Sequence, residues 1–491
     1  MLALAPLLVP LVTALLTALA ASRPRAQRAL SFAGSFTFLA AAALLLERVH
    51  AGQTLRIAFG GWPAEHGIVF AVDRLGGLMV FVTALMGLAT LLYAESDVDA
   101  PRRAPYLAPL VHGLLAGVAA SFATADLFNL YVWFELMLVC AAGLLVLGGR
   151  LRQLDGALKY LALNLLGTLL LLVGVGMVYG LTGRLAFDEL RSASEHVAVG
   201  PLSAAFGLLV FALLLKSGAF PLFSWLPAGY PTLPAPLLAL FAGLLTKVGA
   251  YAILRLAADV IPRAPTLYDG AFATALGWIA AATMLTGVLG AAYHWDLRRI
   301  LAFHIVSQIG YILLAIALGT TAGASAAIFY TVHHIVVKAN LFLIAGLIAS
   351  TTGSYDLRRS GGVLAARPWL AALFAVPALS LVGIPPFSGF WAKWLVLRES
   401  FALGRYAWAV VALLVSALTL YSVAKVWLEA FWKPRPEQLE SNASAQPRAA
   451  RPALAACALL GLVTLALSFA PQTLAEFADA AASALRAGGT P

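Results

Sequence analysis

Seven lysines occur among the 491 residues, and six of them repeat. Lys159, Lys216 and Lys247 are followed by Lys338, Lys393 and Lys425, displaced by 179, 177 and 178 positions. All six lie inside or at the edge of long apolar segments, where a cation at a helix centre costs roughly 2.5–3.5 kcal/mol. Arginine stays charged under any protein condition, whereas a buried lysine can lose its proton. The loops of this chain use arginine almost exclusively, with Lys433 the one ordinary loop lysine. A chain that keeps its titratable cations in apolar segments has the pattern of a machine for moving protons.

One carboxylate joins them. Glu135, in Tyr131-Val-Trp-Phe-Glu135-Leu-Met, lies well inside an apolar stretch, while the other acids cluster at segment ends or in loops. An isolated carboxylate in hydrocarbon either protonates or finds a cation, and the candidates are Lys216, Lys247 and Lys159. A carboxylate that approaches or leaves a buried lysine changes how tightly that lysine holds its proton. The alternative is a static buried ion pair that only fixes helix packing. Lys216 stands beside Ser217-Gly218 and Lys247 between Thr246 and Gly249. Such small neighbours leave room for water and for close helix approach. Lys159 and Lys425 lie nearer segment ends, where a lysine that only snorkels to the interface is equally expected.

In the second half, His334 and Lys338 are four residues apart and share a helix face, while His333 points elsewhere. Histidine titrates near neutrality and can relay protons between lysines. A metal site would need an acidic or cysteine partner at a supporting spacing, and none is present, so no metal is expected. His304 either continues the relay or is a satisfied packing histidine; His112 is equally open. Lys393 has no carboxylate near it in sequence, which suits a terminal exit donor. Asp126 stands where it favours a helix N-terminus. Gly174-Val-Gly176-Met-Val-Tyr-Gly180 is a false dinucleotide fingerprint, since it follows no strand and its last spacing is wrong. No nucleophile-elbow, phosphate-loop or metalloprotease pattern occurs, so no stand-alone enzyme and no cofactor are expected.

These residues need apolar elements to hold them. The chain is 62% hydrophobic and 11% charged, against roughly 25% charged in soluble domains. Apolar runs of about 20 residues, each able to span a bilayer, recur throughout. The predicted spans are 1–22, 28–47, 72–94, 106–124, 127–148, 157–180, 203–227, 233–257, 268–292, 300–319, 323–350, 367–398, 405–432 and 452–470. The expected fold is an all-α polytopic membrane protein of about fourteen helices. The first run lacks a basic leader and is followed by Arg23, Arg25 and Arg28, so it reads as a membrane helix and not as a signal peptide. Cys140 and Cys457 both lie in apolar runs, which argues against disulfide, zinc and iron–sulfur sites.

An even count places both ends on one side. Alternate loops carry Arg23/Arg25/Arg28, Arg102/Arg103, Arg150/Arg152, Arg298/Arg299, Arg358/Arg359/Arg367 and Lys433/Arg435/Arg448/Arg451, sixteen basic residues against about ten on the other side. By the positive-inside rule those loops are cytoplasmic and both termini face outward. The net charge of +10 thus reports topology, not nucleic-acid binding. A lysine shift of about 178 residues corresponds to five helices, pairing spans 4–8 with spans 9–13. Five being odd, the copies must be inverted. The implied division is 1–100 flanking helices, 106–257 first repeat, 268–432 second repeat, and 433–491 a cytoplasmic loop and last helix. Two spans carry breakers, Lys216-Ser-Gly-Ala-Phe-Pro221 and Gly383-Ile-Pro385-Pro386-Phe-Ser-Gly389. Proline removes a backbone donor and clashes one turn back, so each span is expected to break at membrane depth. Such irregular backbone is tolerated only inside protein or beside a wet cavity; a plain packing kink is the other reading.

The stretches Asp126-Leu-Phe-Asn-Leu-Tyr-Val-Trp-Phe-Glu135, Lys216-Ser-Gly-Ala-Phe-Pro-Leu-Phe-Ser-Trp-Leu-Pro227, Leu240-Phe-Ala-Gly-Leu-Leu-Thr-Lys247-Val-Gly-Ala-Tyr and His333-His334-Ile-Val-Val-Lys338 resemble the antiporter-like family. That family includes the large proton-pumping membrane subunits of respiratory complex I and the A and D subunits of Mrp cation/proton antiporters. The resemblance runs over roughly 70–430, and the wording around Glu135 and at Tyr230–Pro236 is most similar to the Mrp members of the D type. It implies fourteen helices, inverted five-helix repeats each with a broken helix, and a proton path in mid-membrane. It makes Glu135 and Lys216 the coupling pair, Lys247, His334 and Lys338 the central relay, and Lys393 the terminal group. It further implies partners, the A, B, C, E, F and G subunits of an Mrp complex in the cell membrane, with protons and sodium as cargo. The second half departs from a copy of the first, since no mid-helix acid in its span 10 matches Glu135. A complex I-type or hydrogenase-type pump subunit is the rival, and a purely structural scaffold a third reading.

Overall fold

The structure, a computed structural model, describes residues 2–59, 67–96, 105–260, 270–434 and 451–487. It is a bundle of long helices: α1 Ala5–Leu19, α2 Pro24–His50, α3 Arg74–Ala94, α4 Leu107–Ala123, α5 Leu127–Val146, α6 Leu151–Thr182, α7 Val199–Ser217 and α8 Ala235–Arg255. The second half continues with α9 Ala271–Tyr293, α10 Leu297–Ala317, α11 Thr321–Thr352, α12 Pro368–Val382, α13 Ser388–Ala402, α14 Tyr406–Trp427, α15 Arg451–Phe469 and α16 Pro471–Ala487. Among the described residues, twelve helices are long and apolar enough to cross a membrane, and α4 and α12 are shorter apolar ones. With α12 and α13 as one broken span, fourteen crossings result, as expected from the sequence. Side-chain caps start several of them. Asp73 accepts from the Gly76 amide, Asp126 from Asn129, Asp296 from Arg298 and Arg299, and Thr320 from Gly323. Each satisfies donors that a helix start leaves free.

The most apolar stretches of α8 and α11 are buried throughout and those of α3 and α10 nearly so, so these four form the core. The helices α1, α6 and α14 keep rows of exposed leucine and valine.

The two halves carry one plan. α6 and α11 are both 32 residues long, and each ends at a left-handed glycine, Gly183 or Gly353. The cap residues Asp126 and Asp296 form matching antiparallel bridges, to Ala186 and to Asp356. All these pairs are 170 positions apart. The breaks come at Gly218 and Gly383, and each is followed by a cis X-Pro bond, Phe220-Pro221 and Pro385-Pro386. Both repeats close on a five-residue π-helical segment, Leu256–Val260 and Leu428–Trp432.

That register corrects the lysine reading. At a spacing of 170, Lys159 meets Phe329 and Lys338 meets Thr168; aligned on the break glycines, Lys216 meets Leu381. The spacing of about 178 shared by the lysines is therefore not the structural repeat. The lysines are placed asymmetrically on a duplicated scaffold.

Both predicted breaks are present. Gly218, at φ 72°, ends α7; the chain turns and makes a short helix, Trp225–Gly229. Gly383, at φ 90°, ends α12, and α13 begins five residues later. Three elements escaped the sequence reading or extend beyond it. Leu55–Ala58 and Val69–Val72 pair as an antiparallel hairpin. The sixth span starts six residues earlier than expected, at Leu151. The amphipathic helix α16 buries Leu474, Ala478, Ala481, Ala482 and Leu485 against α11 and α3. Arg102, Arg103, Arg435, Arg448 and most of the Lys433–Pro452 loop lie outside the described residues.

Candidate functional site

α5, α6 and α7 bring the first group together. Lys216 is the penultimate residue of α7, two residues before the break glycine Gly218, and is only 6% exposed. Its Nζ donates to the Asn164 carbonyl oxygen at 2.8 Å and to Thr168 Oγ1 at 2.5 Å, both on α6. The Phe134 ring stands 5.6 Å away. Glu135 acts on Lys216 electrostatically, but no ion pair joins them. Instead Glu135 is half-buried on a flank of α5 that also presents Val132 and Val139, 38% and 65% exposed. The two side chains are therefore not in contact, and the lysine rests on uncharged oxygens. Lys159 is not part of the site. It pairs with Asp155 at 2.6 Å, with both side chains exposed, because α6 begins early enough to lift this turn out of the core.

α8 and α11 pack face to face and carry the second group. Lys247 and Lys338 are both fully buried, as are His334 and His304. Lys247 turns back to the Ala242 carbonyl of its own helix. His334 is within electrostatic reach of Lys247, Lys338, His333 and His304, and Lys338 within reach of Lys247. Among the described residues, Lys338 Nζ and both ring nitrogens of His334 find no protein hydrogen-bond partner. The same holds for Thr246 Oγ1, Ser307 Oγ, Gln308 Nε2 and His304 Nδ1. Leaving a buried polar group unmatched costs about 1–3 kcal/mol, more if charged. These unmatched groups all stand on α8, α10 and α11, and buried polar groups of this kind are the ones that ordered water serves.

α13 carries the terminal group. Lys393 is 5% exposed and reaches back across the break to donate to the Val382 carbonyl oxygen, 2.7 Å away. Val382 is the last residue of α12, where the helix dipole presents partial negative charge. This is how a lysine without a carboxylate is held here. The Tyr311 ring lies 5.1 Å from its Nζ. His333 departs from His334 as expected, its Nδ1 lying 2.9 Å from Ser388 Oγ at the break. Lys393 acts in turn on His333 and His304. Lys247, His334 and Lys338 therefore form a file of electrostatic neighbours that Lys393 joins through His333 and His304, while Lys216 and Glu135 stand as a separate group on α5 and α7.

Sequence reasoning missed Thr168, Asn164 and Ser388, hydroxyls and carbonyls with no motif of their own. It also missed a clamp at the edge of the site. Asp73 accepts two bonds of 2.6 Å from Arg255, whose Nε donates to Tyr251 Oη at 3.0 Å. Among the described residues, no group of three or more histidine, cysteine or acidic side chains could hold a metal.

The family model "NADH:quinone oxidoreductase/Mrp antiporter, TM" matches residues 124–419, a span that runs from α5 into α14. The chain is 38% identical over 479 residues to a protein of Alkalihalophilus pseudofirmus named as the D subunit of an Na(+)/H(+) antiporter, covering 97% of this chain and 95% of that one. A chain in the structure of the Mrp complex from Dietzia sp. DQ12-45-1b superposes with a TM-score of 0.90 at 34% identity, covering 99% of this chain and 97% of that one. A chain of respiratory complex I from Thermus thermophilus superposes at 0.83 with 26% identity, covering 99% and 100%. Fold and comparisons agree, and this multi-pass membrane protein belongs to the antiporter-like family, among the Na(+)/H(+) antiporter D subunits.

Proposed function

We propose that this chain is the proton-translocating subunit of a multisubunit Na+/H+ antiporter in the cell membrane, a secondary transporter and not an enzyme. The observation that carries this reading is the cluster of Lys338 and His334, fully buried and without protein partners among the described residues, between Lys247 and Lys393. A static scaffold would pair such groups or replace them with apolar side chains. A relay needs them free to take and release protons through water. In this reading Glu135, Lys216, Lys247, His334, Lys338 and Lys393 are the relay. Movement of Glu135 toward Lys216 favours the charged lysine, and its departure sends the proton on to Lys247.

The division into flanking helices 1–100, repeats 106–257 and 268–432, and C-terminal segment 433–491 is part of the proposal. So is the outward placement of both termini, which rests on the arginine bias of alternate loops. Partners would be the A, B, C, E, F and G subunits of an Mrp complex, with sodium moved in a neighbouring chain. The test is sodium-induced proton movement in everted vesicles containing this chain with its genomic neighbours, wild type against Glu135→Ala. Loss of the sodium response in an assembled Glu135→Ala complex supports the reading, and an unaffected variant refutes the role of Glu135. The similarity to the complex I chain supports one rival, a redox-driven pump subunit. That rival predicts an assembled wild-type complex with no response to sodium.

A further inference from the structure

Resting on that reading, we infer that Lys425, Ser422 and His304 form a proton-uptake branch joining the relay to an arginine-walled cavity at the loop end of the second repeat. Neither Lys425 nor Ser422 belongs to the file described above. Lys425 lies in the last turn of α14. Its Nζ donates to the carbonyl oxygens of Ala292 and His294, at 2.6 and 2.7 Å, and stands 5.2 Å from the Trp295 ring. His294, Trp295 and Asp296 line a cavity of about 690 Å³ together with Arg150, Arg152 and Arg299.

The branch leads inward. Ser422 is one helical turn before Lys425 and shares its face. Its Oγ lies 3.0 Å from His304 Nε2. His304 is fully buried, its Nδ1 has no protein partner among the described residues, and both Lys338 and Lys425 act on it. The next hydroxyl along the same face of α10, Ser307, is equally unpartnered. The titratable groups around Lys425 are Glu429 on its own helix, His294, Asp296 and Arg299 from the α9–α10 connection, and His304 from α10.

The transfer balances. Lys425 gives a proton to Ser422 Oγ as the Ser422 hydroxyl proton passes to His304 Nε2, and His304 releases one from Nδ1 toward Lys338. Lys425 then regains a proton from the cavity water. The competing role for Lys425 is to cap the free carbonyls of α9 and nothing more.

Arginine separates the two roles, since it keeps the donors and the charge but does not release a proton. Lys425→Arg and Ser422→Ala are measured in proteoliposomes of the complete antiporter complex, following sodium-driven proton flux per assembled complex. Lys338→Met serves as the reference for relay failure. The branch predicts normal assembly and at least tenfold lower flux for Lys425→Arg, with several-fold lower flux for Ser422→Ala. Wild-type flux in both variants, with Lys338→Met inactive, overturns the branch and leaves the relay standing. Wild-type flux in Lys338→Met as well overturns the relay itself.

Discussion

Thr168 Oγ1 lies 2.5 Å from Lys216 Nζ, and in the 170-residue register of the repeats Thr168 is the position that the second half fills with Lys338. The first half sets a hydroxyl on its long helix and brings a lysine to it from α7. The second half sets the lysine on the long helix itself. One duplicated frame thus holds a buried cation in each half by two routes. Thr168→Val keeps the shape and deletes an acceptor of a charged donor, a loss worth about 1–3 kcal/mol. Proton flux through the assembled complex should fall about tenfold or more, and an unchanged flux and pH profile would show that this contact is incidental.

Lys159 provides the opposite case. Its pair with Asp155 is exposed and spaced i,i+4, and such pairs contribute about 0.3–0.5 kcal/mol. Lys159→Ala should leave expression, assembly and sodium-driven flux near wild type. A strong transport defect would add this residue to the relay.

Asp73 and Arg255 tie the start of α3 to the end of α8, with their side chains 17% and 8% exposed. Removing one partner of such a pair typically costs about 3–5 kcal/mol. Asp73→Ala should therefore lower the thermal midpoint of the purified complex or its yield, while Lys216→Ala does not. Wild-type stability in Asp73→Ala would mean that the clamp is dispensable.

Gly383 carries a φ of 90°, and a Cβ there would meet Lys393 Cδ at 2.9 Å. The left-handed conformation alone costs a residue with a side chain about 1–2 kcal/mol. Gly383→Ala should therefore displace Lys393 from the Val382 carbonyl and cut transport more than Gly218→Ala. At Gly218 the nearest neighbour of an added Cβ is Leu226 Cδ1, at 3.2 Å. Equal flux measured in the two variants would argue against a specific hold on Lys393.

The sequence showed the spans, both breaks and the buried lysines, because each is a strong local signal: a long apolar run, a proline-glycine cluster, a cation in hydrocarbon. The register of the repeat was not legible, since Lys338 and Thr168 share a position but no chemistry. Nor was the lack of contact between Glu135 and Lys216, because which carbonyl a lysine chooses depends on helix rotation that no spacing encodes. The helix α16 carries Glu476 and Asp479 among its alanines, so an apolar-run reading passes over it. The Asp73–Arg255 clamp joins residues 182 positions apart, beyond any periodicity.

Lys338 is the sharpest test of the relay, being fully buried and, among the described residues, without a protein partner for its Nζ. Replacing it by methionine keeps the volume and removes the proton site, so the complex should assemble as well as wild type or better. Sodium-driven proton flux in proteoliposomes of the complete Lys338→Met complex is the measurement. The account predicts flux at background level in a fully assembled complex. Flux at the wild-type rate would contradict a proton path through this residue.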